Sequence, residues 1–256
     1  MLLGGTPLHL AAYFNQPNSV KTLVDVYKAS INATDKNGNN ALHLAALEGY
    51  VEVMKTLLSF ERCDVNAKGE LGRTALHGAC SHGHVACIRE LMAGGAQIEA
   101  RGSKFDITPL HLAAEFNHPD SVKTLIDVYK ASINATDKDG NSALHRAALK
   151  GHVEVVKTLL SFDNCNVNAR TDNGWTPLHY AVHSGNPNVV QVLASNPHCD
   201  VTARDNFGLA AMHQAVSLGH IDVVRLLASN PQSDALNLAA VKGHAEVVDS
   251  AVILSL

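Results

Sequence analysis

Histidine is the residue type best placed to do chemistry in this chain of 256 residues, which holds 15 of them. Imidazole binds metals and moves protons near neutral pH. Seven histidines, His9, His43, His77, His111, His145, His179 and His213, follow one another at a constant spacing of 34 residues. Equivalent side chains on successive packed helices lie about 8–10 Å apart, whereas the ligands of one ion must all come within about 2.0–2.3 Å of it. A row cannot chelate, so no metal is expected. Each histidine is expected instead to hydrogen-bond near the Thr that opens its own helix. His84, His152, His220 and His244 stand in Gly-His pairs and read as turn residues.

The five cysteines, Cys63, Cys80, Cys87, Cys165 and Cys199, form no CxxC pair. Reduced thiols are expected, with Cys80 and Cys87 as small core fillers. The N-terminus lacks the charged start and apolar run of a signal peptide, and a cytoplasmic location, or else a nuclear one, is expected. No GxGxxG, GxxxxGK[ST] or HExxH occurs, and no Ser or Cys stands in a recognised nucleophile setting. The chain is therefore expected to be no enzyme, with no catalytic residues and no cofactor. A formal charge of −4 without Lys/Arg blocks argues against a nucleic-acid partner. The apolar "SAVILSL" at the C-terminus is far short of the roughly 20 residues that cross a bilayer, so no membrane partner is expected.

Around the periodic histidines stand "TPLH", "NALH", "TALH", "TPLH", "SALH", "TPLH" and "AAMH". Each opens a short Ala-rich stretch, followed by one such as "VEVMKTLLSF" whose Val51, Met54, Leu57 and Leu58 recur at helical spacing. Two antiparallel helices per unit are predicted. Pro7, Pro109 and Pro177 suit the first turn of the first helix, and Pro17, Pro119 and Pro187 that of the second. Between units, "DVNAKGELGR" or "NVNARTDNGW" predicts a hairpin finger, with Gly38, Gly72, Gly140, Gly174 and Gly208 at turn positions of positive φ. In the third finger Asp106 replaces that Gly; Asp tolerates left-handed geometry, so the turn can survive in altered form. Residues 6–60 and 108–162 differ at ten of 55 positions. Val24/Ile126 and Met54/Val156 are apolar swaps, whereas Tyr13/Glu115, Leu44/Arg146 and Glu48/Lys150 fall at expected turns or on the inner face.

These units resemble the ankyrin repeat over nearly the whole chain, as "ALHRAALKGHVEVVKTLLSFDNCNVNARTDNGWTPLH" shows almost end to end. The resemblance implies an all-α solenoid of helix-turn-helix units with projecting β-hairpin fingers and a concave protein-binding face. Residues 1–256 are expected to form a single domain of about seven repeats of 34 residues, plus a truncated eighth at 231–256 that lacks its finger. "MLLGG" before the first "TPLH" leaves no capping unit, which reads as a piece of a longer array.

Function is expected in binding another protein, the identity of which no motif names. The alternative is a targeting or structural module of a larger protein such as a channel, enzyme or secreted effector. Relatives of this type recognise partners through finger tips and the inner face of the first helix. Carried over by position, that gives Leu71, Phe105 with Ile107, Trp175, and Phe207 with Leu209 on fingers, and Phe116, Tyr180 and His183 on adjoining helix positions. Tyr13 and Phe14 share the latter setting. Glu115, Arg146, Lys150 and His183 are expected to set charge preference. The chain is expected to be a monomer unless its apolar C-terminal helix pairs. The resemblance also implies hydroxylation by an asparaginyl hydroxylase at Asn66, and at Asn168, where Asn166 takes the place of the motif's Asp.

Overall fold

A computed structural model describes residues 4–102 and 105–230. The expected eighth unit, with His244 and the apolar C-terminal segment, lies outside the described residues. The chain divides into two compact units, residues 1–132 and 133–256.

The first unit carries four helix pairs: α1 (Pro7–Tyr13) with α2 (Pro17–Asp25), α3 (Ala41–Glu48) with α4 (Val51–Leu58), α5 (Ala75–Ser81) with α6 (Val85–Ala93), and α7 (Pro109–Glu115) with α8 (Pro119–Asp127). α1, α3, α5 and α7 stack in one layer, and α2, α4, α6 and α8 in the other. The second unit repeats the plan with α9 (Ala143–Lys150) and α10 (Val153–Leu160), α11 (Pro177–His183) and α12 (Pro187–Ala194), and α13 (Ala211–Leu218) and α14 (Ile221–Ala228).

Helices of seven to nine residues are too short to persist alone in water, so stacking must hold them. The first helices use Ala on the faces that meet a neighbour: Ala45 and Ala46, Ala113 and Ala114, Ala147 and Ala148 are fully buried. The second helices turn a Val/Ile/Leu stripe inward, as in Val53, Met54 and Leu57, or Val155, Val156 and Leu159. Both apolar swaps between the duplicated blocks lie in this core. The prolines at 7, 17, 109, 119, 177 and 187 each sit at a helix start, where a missing N–H leaves nothing unpaired.

The turn between paired helices is tied to the next repeat. Gly83 has φ +73°, and a Cβ there would lie 2.4 Å from the His118 ring, whose Nε2–H donates to the Ser81 carbonyl at 3.0 Å. His84 makes the same bond to the Leu47 carbonyl at 3.1 Å. In the second unit, Asn186 donates to the Gly151 carbonyl at 3.3 Å. His84 and His118 therefore each staple one repeat to the one before.

The fingers are tight turns. Asp35 accepts the N–H groups of Asn37 and Asn39 at 2.9 Å, and Asp205 those of Phe207 and Leu209 at 2.9 Å. The turn glycines have φ from 65° at Gly72 to 83° at Gly38, and Asp106 takes φ 56° in their stead. Asn side chains at the finger bases bridge neighbouring loops. Asn66 donates to the Gly95 carbonyl at 3.2 Å and accepts from Gln97 N–H at 2.8 Å; Asn168 does the same with His198 and Asp200.

Candidate protein-binding surfaces

The periodic histidines are structural in geometry. Each backbone N–H of Thr6, Thr74, Thr108, Ser142, Thr176 and Ala210 donates to the Nδ1 of the histidine three residues on, at 3.0–3.2 Å. Nδ1 thus carries the lone pair and Nε2 the proton. Nε2–H of His9, His43, His77, His145 and His179 donates to the carbonyl of Asn39, Arg73, Ile107, Trp175 and Leu209, at 2.9–3.2 Å. Each bond ties a helix start to the finger 30 residues on. Burial favours the neutral ring and lowers the pKa of His77 and His145 to about 4.

Among the described residues, no group of three His, Cys, Asp or Glu is placed to hold a metal ion. Burial also pushes the thiols of Cys63 and Cys87 up to about 11, and those of Cys165 and Cys199 up to about 12. They stay protonated at neutral pH and are poor nucleophiles.

In the first unit, Leu71, Phe105 and Phe116 are exposed, and Glu115 is half-buried. Tyr13 and Phe14 are exposed too, edge to face at 5.3 Å. Ile107 corrects the expectation of an exposed finger residue, since only 6% of it is accessible. Its carbonyl accepts from both His77 Nε2 and Gly102 N–H, which draws this end of the finger against the stack. Arg101 closes the same finger, donating to the Asp106 carboxylate at 2.9 Å and its carbonyl at 3.1 Å.

Leu71 has φ 57°, a left-handed conformation that costs a bulky L-residue on the order of 1–2 kcal/mol. Its finger lacks the Asp that staples the tips at Asp35 and Asp205, because Gly69 stands there. A Cβ on Gly69 would lie 2.3 Å from Asn39 Oδ1, which accepts the Glu70 N–H at 3.0 Å. Beside this finger is a recess of about 230 Å³ lined by Leu44, Leu47, Leu71 and Gly78, with Glu70 and Arg73 among its polar groups. Sequence reasoning picked out Leu71 but missed the recess. The signal was Gly78, which occupies the position held by Leu10, Leu44, Leu112, Arg146, Tyr180 and Gln214 in the other units.

The second unit gathers its aromatic residues. Trp175 meets Tyr180 edge-on at 5.2 Å and His183 at 5.4 Å, and lies over His179 at 6.4 Å. Tyr180 in turn packs edge-on against His145 at 5.5 Å. Trp175 is half-buried in this cluster, while His183 is exposed. Arg146 is not a freely presented charge. It donates to Asp137 at 2.6 Å, with side-chain exposures of 18% and 1%. Burial works to raise the Asp137 pKa, but the donors from Asn141, Arg146 and Asp139 outweigh it and hold it below the ordinary value. Lys150 is exposed in the last turn of α9. Leu209 is half-buried, its carbonyl taken by His179. Phe207, at the finger tip, is 80% exposed.

A family model described as ankyrin repeats, in three copies, matches residues 2–69, 58–137 and 110–205. The chain belongs to the ankyrin repeat family. Its 14 helices among the described residues form the ankyrin-repeat solenoid expected from the repeat pattern. A similar solved structure is the ankyrin repeat domain of Bcl-3, described as a unique member of the IkappaB protein family. The likeness has a TM-score of 0.74 at 28% identity, covering 87% of this chain and 99% of that one. Among curated protein sequences none matches significantly. Ankyrin repeats are generally protein–protein interaction modules. Among the described residues, no helix is long and apolar enough to cross a membrane.

Proposed function

We propose that this ankyrin-repeat chain is a non-catalytic scaffold that captures another protein through its fingers and the inner face of its first helices. The observation that carries the reading is Phe207, 80% exposed on a turn held by hydrogen bonds on both sides of it. Asp205 accepts two N–H groups within the tip. Asn206 ties it to the preceding finger, with Nδ2 donating to the Asp172 carbonyl at 2.8 Å and its N–H to that of Asn173 at 3.1 Å. An aromatic group on a pinned backbone loses little further entropy on docking, and aromatic residues dominate interface energies once a partner desolvates them. Trp175, Tyr180 and His183 supply a packed aromatic surface in the same unit. In the first unit Phe105 and Phe116 offer apolar groups and Glu115 a carboxylate, and in the second Lys150 and His183 offer charged or titratable groups.

The test replaces Phe207 by p-benzoylphenylalanine, identifies the photo-crosslinked protein, and measures its affinity for the Phe105→Ser/Phe207→Ser variant. Affinity is expected to fall by more than about 2 kcal/mol, with the melting temperature nearly unchanged because neither side chain lies in the helical core. Undiminished binding with a lowered melting temperature would sink this reading of the fingers.

A further inference from the structure

Three departures from the repeat pattern meet at one place in the first unit. Gly78 removes a side chain from the inner face of α5, and Gly69 removes one from the finger base. Leu71 is held in a left-handed conformation at the rim. Gly69 is required by crowding, since a Cβ there would meet Asn39 and the His43 ring, but Gly78 is not. A Cβ on Gly78 would meet Leu47 and the His43 carbonyl at 3.7–3.9 Å, an ordinary contact. The space is thus left open where a larger side chain would fit, and a leucine fills the equivalent position in three other units. A strained residue persists where its surroundings over-determine it, often at a binding site.

From this geometry we infer that the recess between α3, α5 and the second finger is an anchor pocket. It takes one aliphatic side chain of an extended peptide segment whose flanking residues carry one acidic and one basic group. The size fits, since a cavity of about 150 Å³ with apolar walls already holds a benzene ring, and this one measures about 230 Å³. Leu44, Leu47 and Leu71 supply the apolar walls. Charge complementarity sets the flanks. Glu70 is exposed and Arg73 half-exposed, and neither side chain makes an ion pair or hydrogen bond among the described residues. A basic neighbour of the anchor pairs with Glu70 and an acidic one with Arg73, the Arg fork taking the carboxylate by two parallel bonds. The backbone at Arg73 is fixed, because its carbonyl accepts from His43 Nε2 and Gly69 N–H. This inference rests on the protein-binding reading but uses none of the residues that carry it.

The probe is a random 12-residue peptide library displayed on phage and selected on the whole chain. Synthetic copies of the selected peptides are then titrated by fluorescence anisotropy against the wild type and variants. Peptides with Leu, Ile or Met between an acidic and a basic residue are expected, and Gly78→Leu, which fills the recess, is expected to weaken them at least tenfold. Leu71→Gly is the second variant. It relieves the left-handed strain while removing a wall, so it should raise the melting temperature and still lower affinity, a combination that misfolding cannot produce. Equal binding by wild type and both variants overturns the pocket. So does a selection that yields nothing, a dimer lost on Gly78→Leu, which assigns the recess to a second copy, or peptides lost only on Phe207→Ser. That last result leaves the protein-binding reading standing.

Discussion

Acid should loosen the second unit through His145, and the size of the effect follows from its setting. The ring is fully buried, with Nδ1 accepting from Ser142 N–H and Nε2–H shared between the carbonyls of Ala169 and Trp175 at 3.0 and 3.2 Å. A second proton would have to sit on Nδ1, facing the Ser142 N–H. The folded chain therefore refuses it until about pH 4, whereas the unfolded chain accepts it near 6.5. Between those values the unfolded state binds one more proton, so stability falls as pH falls. The stabilisation is complete above about pH 6.5 and is lost on descending to about pH 4. At about 1.36 kcal/mol per pH unit, the loss is about 3 kcal/mol. Asp137, whose pKa is lowered, adds its own loss only below the ordinary carboxylate range. Trp175 is the chain's one tryptophan and lies in this unit, so urea unfolding followed by its fluorescence from pH 4.5 to 8 reads the relevant transition. His145→Gln removes the titrating group and should flatten the slope by about 1.36 kcal/mol per pH unit, whatever it does to absolute stability. A slope unchanged in that variant would refute the assignment of the proton to His145.

Gly83→Ala should destabilise the first unit by at least about 1 kcal/mol, because it puts a Cβ against the His118 ring on a left-handed backbone; thermal melting checks this, and a neutral result would mean the staple yields freely. Asn66 holds two bonds to the next loop, so an asparaginyl hydroxylase should add oxygen to an unfolded peptide spanning residues 58–74 faster than to the folded chain. Equal modification by mass spectrometry would mean that those bonds do not hold the side chain.

Much of the fold was legible because its causes are local. The N-cap residue, the proline at the first turn and the glycine at the finger tip act within a few residues of their own position. The spacing of 34 residues then repeats them. Even the histidine row could be read as structural, since a periodic row of side chains cannot converge on one ion. What the sequence left open depends on side chains that packing brings together, from nine residues apart, as Asp137 and Arg146, to 30, as His77 and Ile107. Ile107 looked like a finger residue, yet the bond from His77 to its carbonyl draws it inward. Arg146 looked like a surface charge replacing Leu44, yet the finger before it places Asp137 within 2.6 Å. Trp175 is clustered and Phe207 is not, though both stand on fingers. The recess at Gly78 exists because the larger residues of α3 and the second finger stop short of the space. The sequence shows which side chain is missing there. Only the stacked repeats decide whether a neighbour closes the gap, because in a solenoid each surface is completed by the next unit along the chain.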